Sequence, residues 1–443
     1  MGAVEVFLLA VACVLLVGAA GELLFPRTRI PDPLWLIAGG IGLRLSGVVD
    51  DAMLRAITPF FAALALIIVL FEGGSRLVLS ELRGAAGRGG VLALATFGAT
   101  TLLVALFSLG LAALGVLEAW TFTHGVMLGA IVGGPSALLV APSLRLVGAG
   151  ERLGALLRAE ASLTDALAAA VTVACIDIIV AGSLSAGAAL LALGRSFGVA
   201  ALLGGLVGWA WIPAMRALRG DAASYPLILA GLMLLYVLVD AMGGSPAMGV
   251  LAFAIVVGNA RHFTRWLHEG DRGEGISLGR DVRAVHAQLS FIIKSLFFAF
   301  VGLLLAPPWS LLVMGALMGL ALFFARLPGV YFTLRGAGLE DRELATAFVC
   351  LPRGLAAGAL ATLPMMAGVP GAERLPPLVF SAITATIVIF TVGFARAQRG
   401  RWDPRLAATA RREEGAEEQF AARTAIVAGD DAAAGSSDRS ARV

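Results

Sequence analysis

Four charged residues stand in or at the edge of apolar runs: Glu160, Asp165, Lys294 and Arg353. A charge at membrane depth is costly and is retained where a partner or a function compensates it. Asp165 lies in Glu160-Ala161-Ser162-Leu163-Thr164-Asp165-Ala166-Leu167, ahead of a long Ala/Val/Ile run. A carboxylate there holds a dehydrated cation when ionised and a proton otherwise, so the two compete for one place. Ser162 and Thr164 add neutral oxygen ligands. The blander reading is an acid that snorkels near a helix end. Glu160, five residues earlier, sits about 140° around an ideal helix from Asp165 and needs a partner of its own. Arg353 is the natural candidate, since a buried pair holds two helices in register; the alternative is an interfacial glutamate. Lys294 is the only lysine of the chain and lies among Phe291, Ile292, Ile293, Phe297 and Phe298. It is expected to neutralise Asp165 when no cation is bound, or else to act as a snorkelling anchor.

The elements that position these residues follow from composition. With 59% hydrophobic and 14% charged residues, the 443-residue chain lies far from the soluble average. The mean hydropathy is +0.91. A net charge of +3 gives a nucleic-acid role no support. Cys13, Cys175 and Cys350 fall in apolar runs and read as small buried hydrophobes. The four histidines have no ligand spacing, and no Walker loop, dinucleotide fingerprint or nucleophile motif occurs. No cofactor is expected.

Apolar runs predict an all-α polytopic membrane protein with about thirteen transmembrane helices, at 3–20, 32–46, 57–73, 91–114, 121–146, 153–181, 196–214, 225–241, 246–259, 286–306, 309–333, 343–366 and 376–396. The apolar start without a basic region reads as a first span. Loops after odd-numbered spans carry most of the arginines, among them Arg76, Arg216, Arg265 and Arg326. Loops after even-numbered spans carry only Arg44, Arg55, Arg195 and Arg374. The positive-inside rule then places the N-terminus outside and the C-terminus in the cytoplasm. Residues 1–396 form the membrane domain; 397–443 read as a disordered cytoplasmic tail.

Two spans are interrupted alike, the fifth by Gly133-Gly134-Pro135 and the twelfth by Pro352-Arg353-Gly354. Proline in mid-helix removes a donor and breaks the ladder. Paired interruptions in two halves point to a transport site at crossing broken helices; their odd offset of seven spans predicts an inverted repeat. Simple proline kinks are the plainer reading.

These stretches resemble the bacterial monovalent cation:proton antiporters of the sodium/proton exchanger family, NhaP-like in kind. Phe71-Glu72-Gly73-Gly74, Glu160 to Asp165, Lys294 to Gly302 and Pro352-Arg353-Gly354 occur in the family's order and spacing. The resemblance implies two inverted repeats, core and dimerisation domains, and a homodimer in the lipid bilayer. It implies Asp165 as the shared site for H+ and Na+ or another monovalent cation, with a Glu160–Arg353 clasp and Lys294 near the crossing. The sequence departs from the family in two places. Thr164-Asp165 stands where an Asn-Asp pair is common, and Ser136 stands where the family carries a second acidic ligand.

A sodium-coupled symporter of an organic anion on a similar scaffold is the main alternative; it would need a roomier, more polar midplane. A cation channel would be obstructed by a buried lysine. An intramembrane enzyme would need a catalytic dyad or metal motif that the helices lack.

Overall fold

In a computed structural model, helices occupy the apolar runs, where no water can satisfy free backbone groups. The structure describes residues 3–28, 30–47, parts of 60–75, 87–118, 120–136, 139–140, 144, 150–182, 186–217, 224–260, 280–305 and 309–397. Among these residues there are thirteen α-helices, one 3-10 turn and no strand. The first eight helices are α1 (Ala3–Thr28), α2 (Asp32–Leu45), α3 (Arg88–Ala113), α4 (Phe122–Ile131), α5 (Glu151–Val180), α6 (Ala186–Ala217), α7 (Ser224–Ala241) and α8 (Pro246–Gly258). The remaining five are α9 (Arg280–Leu304), α10 (Trp309–Leu334), α11 (Asp341–Val349), α12 (Leu355–Met366) and α13 (Leu375–Ala397). Six of them, α1, α3, α5, α6, α10 and α13, are long and apolar enough to cross a membrane. Further helical backbone lies between residues 60 and 75.

Several helices outrun the expected spans. Helix α1 continues to Thr28, α6 begins at Ala186 and α9 at Arg280. Hydropathy marks the apolar length of a helix, whereas its hydrogen-bond ladder continues through polar residues. Glu72, residues 261–279 and the tail from 398 lie outside the described residues. Cys175 and Cys350 are buried, but Cys13 is exposed on α1, because an apolar residue of a membrane helix can face lipid as readily as protein.

The helices pack as three groups. Helices α3, α4, α5, α10, α11, α12 and α13 contact one another closely; α1, α2 and α9 pack together, as do α6, α7 and α8. The helical stretch before Ser75 lies on α8, with Gly74 against Leu251 and Ala254, and Ser75 against Gly258.

Local chemistry sets the ends that matter for the site. Helix α4 starts where the Thr121 N–H donates to His124 Nδ1 (3.3 Å), and stops at Ile131 ahead of Gly133-Gly134-Pro135. Helix α11 starts with acidic residues in its first turn, which suit the positive helix end, and stops at Val349. Residues 350–354 are non-helical, and α12 begins after Gly354, whose backbone is extended (φ −135°, ψ −154°).

Candidate functional site

The two breaks meet. The Ser136 N–H donates to the Pro352 carbonyl at 2.8 Å, tying one interruption to the other. Neither break admits a larger residue where they touch α5 and each other: a Cβ on Gly134 would overlap the Thr164 side chain, and one on Gly354 would overlap Ser136. The chain resumes helical hydrogen bonding after the first break, with Leu139 and Val140 both donating to the Ser136 carbonyl. Gly133 and Pro135 are buried beside it, as are Pro352 and Gly354 in the second break.

Helix α5 carries both carboxylates to this crossing, on different faces. Glu160 is fully buried. Its partner is Arg326 of α10, not Arg353: Arg326 Nη1 donates to Oε1 (2.6 Å) and Nη2 to Oε2 (2.8 Å). The Thr96 hydroxyl of α3 donates to Oε1 at 2.9 Å. Arg326 Nε donates to the Ala347 carbonyl (2.9 Å), in the last turn of α11. That carbonyl is one of those a broken helix leaves unpaired, and the Leu351 N–H that would reach it in a continuous helix bonds to Val349 instead. A two-pronged guanidinium–carboxylate pair is the strong form of this interaction. It ties α5 to α10 and, through the free carbonyl, to the edge of the second break. The expectation that counted Arg326 among loop arginines is thereby corrected: it lies inside α10 and is 2% exposed.

Arg353 is equally buried, but its Nε and Nη1 make no hydrogen bond. Its backbone N–H donates to Thr386 of α13 (3.1 Å). The guanidinium lies within electrostatic reach of Arg326, Glu160 and Asp165. It thus adds positive charge to the site without forming the predicted clasp; the shorter reach from α10 to Glu160 is taken by Arg326.

Asp165 is half-buried and lines a narrow pocket with Ser162, Gly73, Leu251 and Ala356 among its other walls. The pocket therefore lies between two of these groups: Ser162, Asp165 and Ala356 come from the largest, and Leu251 comes from the group of α6, α7 and α8, on which the stretch carrying Gly73 lies. Its volume is about 10 Å³, near the lower limit for holding one water molecule. Ser162 shares this wall. Thr164 and Ser136 do not; they sit at the crossing, where the Thr164 hydroxyl donates to the Glu160 carbonyl at 2.9 Å.

Lys294 also has a partner that sequence reasoning did not weigh. Its Nζ lies 2.8 Å from Asp32 Oδ2 at the start of α2, and 5.4 Å from the centre of the Phe291 ring. The expected pairing with Asp165 is replaced by this ion pair, because α9 packs on α2. Among the described residues no group of three or more potential metal-ligating side chains occurs.

Comparison with known proteins matches the family description "Sodium/hydrogen exchanger, transmembrane" to residues 11–397. The chain is 30% identical over 407 residues to the K(+)/H(+) antiporter NhaP2 of Shewanella oneidensis, covering 87% of this chain and 65% of that protein. It is 25% identical over 417 residues to the K(+)/H(+) antiporter NhaP of Alkalimonas amylolytica, covering 91% and 67%. The chain thus spans 65% of the length of the Shewanella relative. The sodium proton antiporter MjNhaP1 from Methanocaldococcus jannaschii, in its structure at pH 8, has a similar fold, with a TM-score of 0.67 at 20% identity, covering 91% of this chain and 99% of that one.

Proposed function

The chain belongs to the sodium/hydrogen exchanger family, a family of multi-pass membrane proteins, and from that premise we propose that it is a secondary antiporter that exchanges protons for a monovalent cation at Asp165. The observation that carries this reading is the place of that carboxylate, on the wall of a water-sized pocket between two helix groups and close to the crossing of two broken helices. A dehydrated monovalent cation or a proton satisfies the ionised carboxylate, and each excludes the other. Ser162 supplies a neutral oxygen on the same wall, while Thr164 and Ser136 supply theirs from the crossing. The family match gives the symporter alternative no support.

On this reading the group α3–α5 with α10–α13 is the moving core, and the remaining helices are the dimerisation domain. Relative motion of the two opens Asp165 to one side of the membrane and then the other. The thirteen spans, two inverted repeats, external N-terminus, cytoplasmic C-terminus with its tail, homodimer and bacterial inner membrane all belong to this proposal. One carboxylate that carries either ion exchanges one proton per cation, so exchange is electroneutral and serves pH homeostasis. The cation is Na+, K+ or Li+; the sequence relatives named above carry K+ in their names and the structural neighbour sodium.

Everted membrane vesicles test this. After acidification, separate additions of Na+, K+ and Li+ should each be scored by dequenching of a pH-sensitive dye. At least one cation should collapse the gradient, at a rate insensitive to imposed membrane potential. No response to any of the three would overturn the antiport reading.

A further inference from the structure

The ion pair between Lys294 and Asp32 is not explained by cation binding at Asp165. It lies on α9 and α2, neither of which lines the Asp165 pocket. Both side chains are largely buried, 16% and 14% exposed. The surroundings of the pair are tightly fitted. A Cβ on Gly40 of α2 would meet the backbone of Ala299 and Gly302, and one on Gly302 would meet the backbone of Ile37 and Gly40. Two helices that approach through glycines have their separation fixed by backbone contact, and the charge pair adds a polar contact between the same two helices. Beside Lys294, Ser295 packs against Gly18 of α1, and Asp32 itself packs against Gly21. The charge pair therefore closes a three-helix unit of α1, α2 and α9 at one point.

Helix α9 also touches the largest group. Three residues after Lys294, the Phe297 ring fills the place that a Cβ on Gly358 of broken helix α12 would occupy, and it stacks edge-on against Phe380 of α13 at 6.1 Å between centroids. Gly358 lies between Ala356 and Leu360, which both line the Asp165 pocket. A continuous path thus runs from Asp32 through Lys294 and Phe297 to the helix that forms one wall of the pocket.

We propose that Lys294 and Asp32 are positioning residues: their ion pair sets the rotation and depth of α9, so that Phe297 forms the bearing surface on which broken helix α12 moves. The inference rests on the antiport reading for its kinetic consequence, and it assigns Lys294 to translocation rather than to the proton or cation. With both charges removed, α9 and α2 lose the ion pair that joins them, and on this proposal Phe297 is then held less firmly against Gly358. Arginine keeps the charge and can keep the pair.

The test compares the full-length wild type, Lys294→Arg and the double variant Lys294→Met/Asp32→Asn in proteoliposomes. The double variant strands no charge, which favours folding. Its maximal exchange rate should fall at least ten-fold, with the half-saturating cation concentration within two-fold of wild type. Lys294→Arg should stay within three-fold in rate. A double variant at the wild-type rate, a change mainly in half-saturation, or an arginine variant as slow as the double would each overturn the proposal. Deuterium exchange over residues 355–366 reads the coupling without transport: it should quicken in the double variant and not in Lys294→Arg, and unchanged exchange overturns the proposal. An inactive wild type would instead count against the antiport reading, with the deuterium result still deciding this one.

Discussion

Glu160 and Asp165 are carboxylates on one helix, five residues apart, with opposite surroundings. Glu160 has no exposure, and its two oxygens are held by Arg326 and Thr96 at 2.6 to 2.9 Å. Asp165 is half-buried and borders a pocket near the size of one water. The helix turns about 140° between them, which sends Glu160 into the packing of α3, α10 and α11, and Asp165 to the boundary with α8. A carboxylate whose oxygens are taken by fixed donors cannot exchange ligands without breaking the fold. On the antiport reading proposed above, the one beside a small cavity exchanges its ligand. Residue type alone does not separate these two acids; burial and the adjoining cavity do.

Substitutions on either carboxylate test this difference. The largest effect on stability is expected at the clasp: Glu160→Gln and Arg326→Gln each strand a buried charge, at a cost of about 3–5 kcal/mol. Thermal unfolding in detergent should show both variants melting well below wild type. If both melt with wild type, the clasp does not hold the fold. Thr96→Val removes one hydrogen bond to the same carboxylate and should cost about 1.5–3 kcal/mol. An effect as large as that of Arg326→Gln would mean that the hydroxyl holds Glu160 as firmly as the ion pair does.

Much of the fold is legible in the sequence because the membrane simplifies the rules. Apolar runs must be helical, and the breaks at 132–136 and 350–354 lie at Gly133-Gly134-Pro135 and Pro352-Arg353-Gly354, whereas Pro213, Pro328 and Pro364 stay inside helices. Partners are harder to read. In a chain whose basic residues are arginines with one exception, a topological arginine and a buried one look alike, and Arg326 is hidden among the former. The available signal is its place inside the apolar run 309–333, in Phe324-Ala325-Arg326-Leu327-Pro328. Asp32, between two prolines at the head of a span, gives no sign that α9 will bring a lysine to it. Its pairing is set by the packing of helices far apart in sequence, which hydrophobic periodicity does not encode.

The most direct test of the central claim is Asp165→Asn, measured for cation-driven proton movement in everted vesicles and for melting in detergent, beside the wild type. The account predicts a protein that melts close to wild type and gives no dequenching with Na+, K+ or Li+; retained exchange in that variant would contradict it.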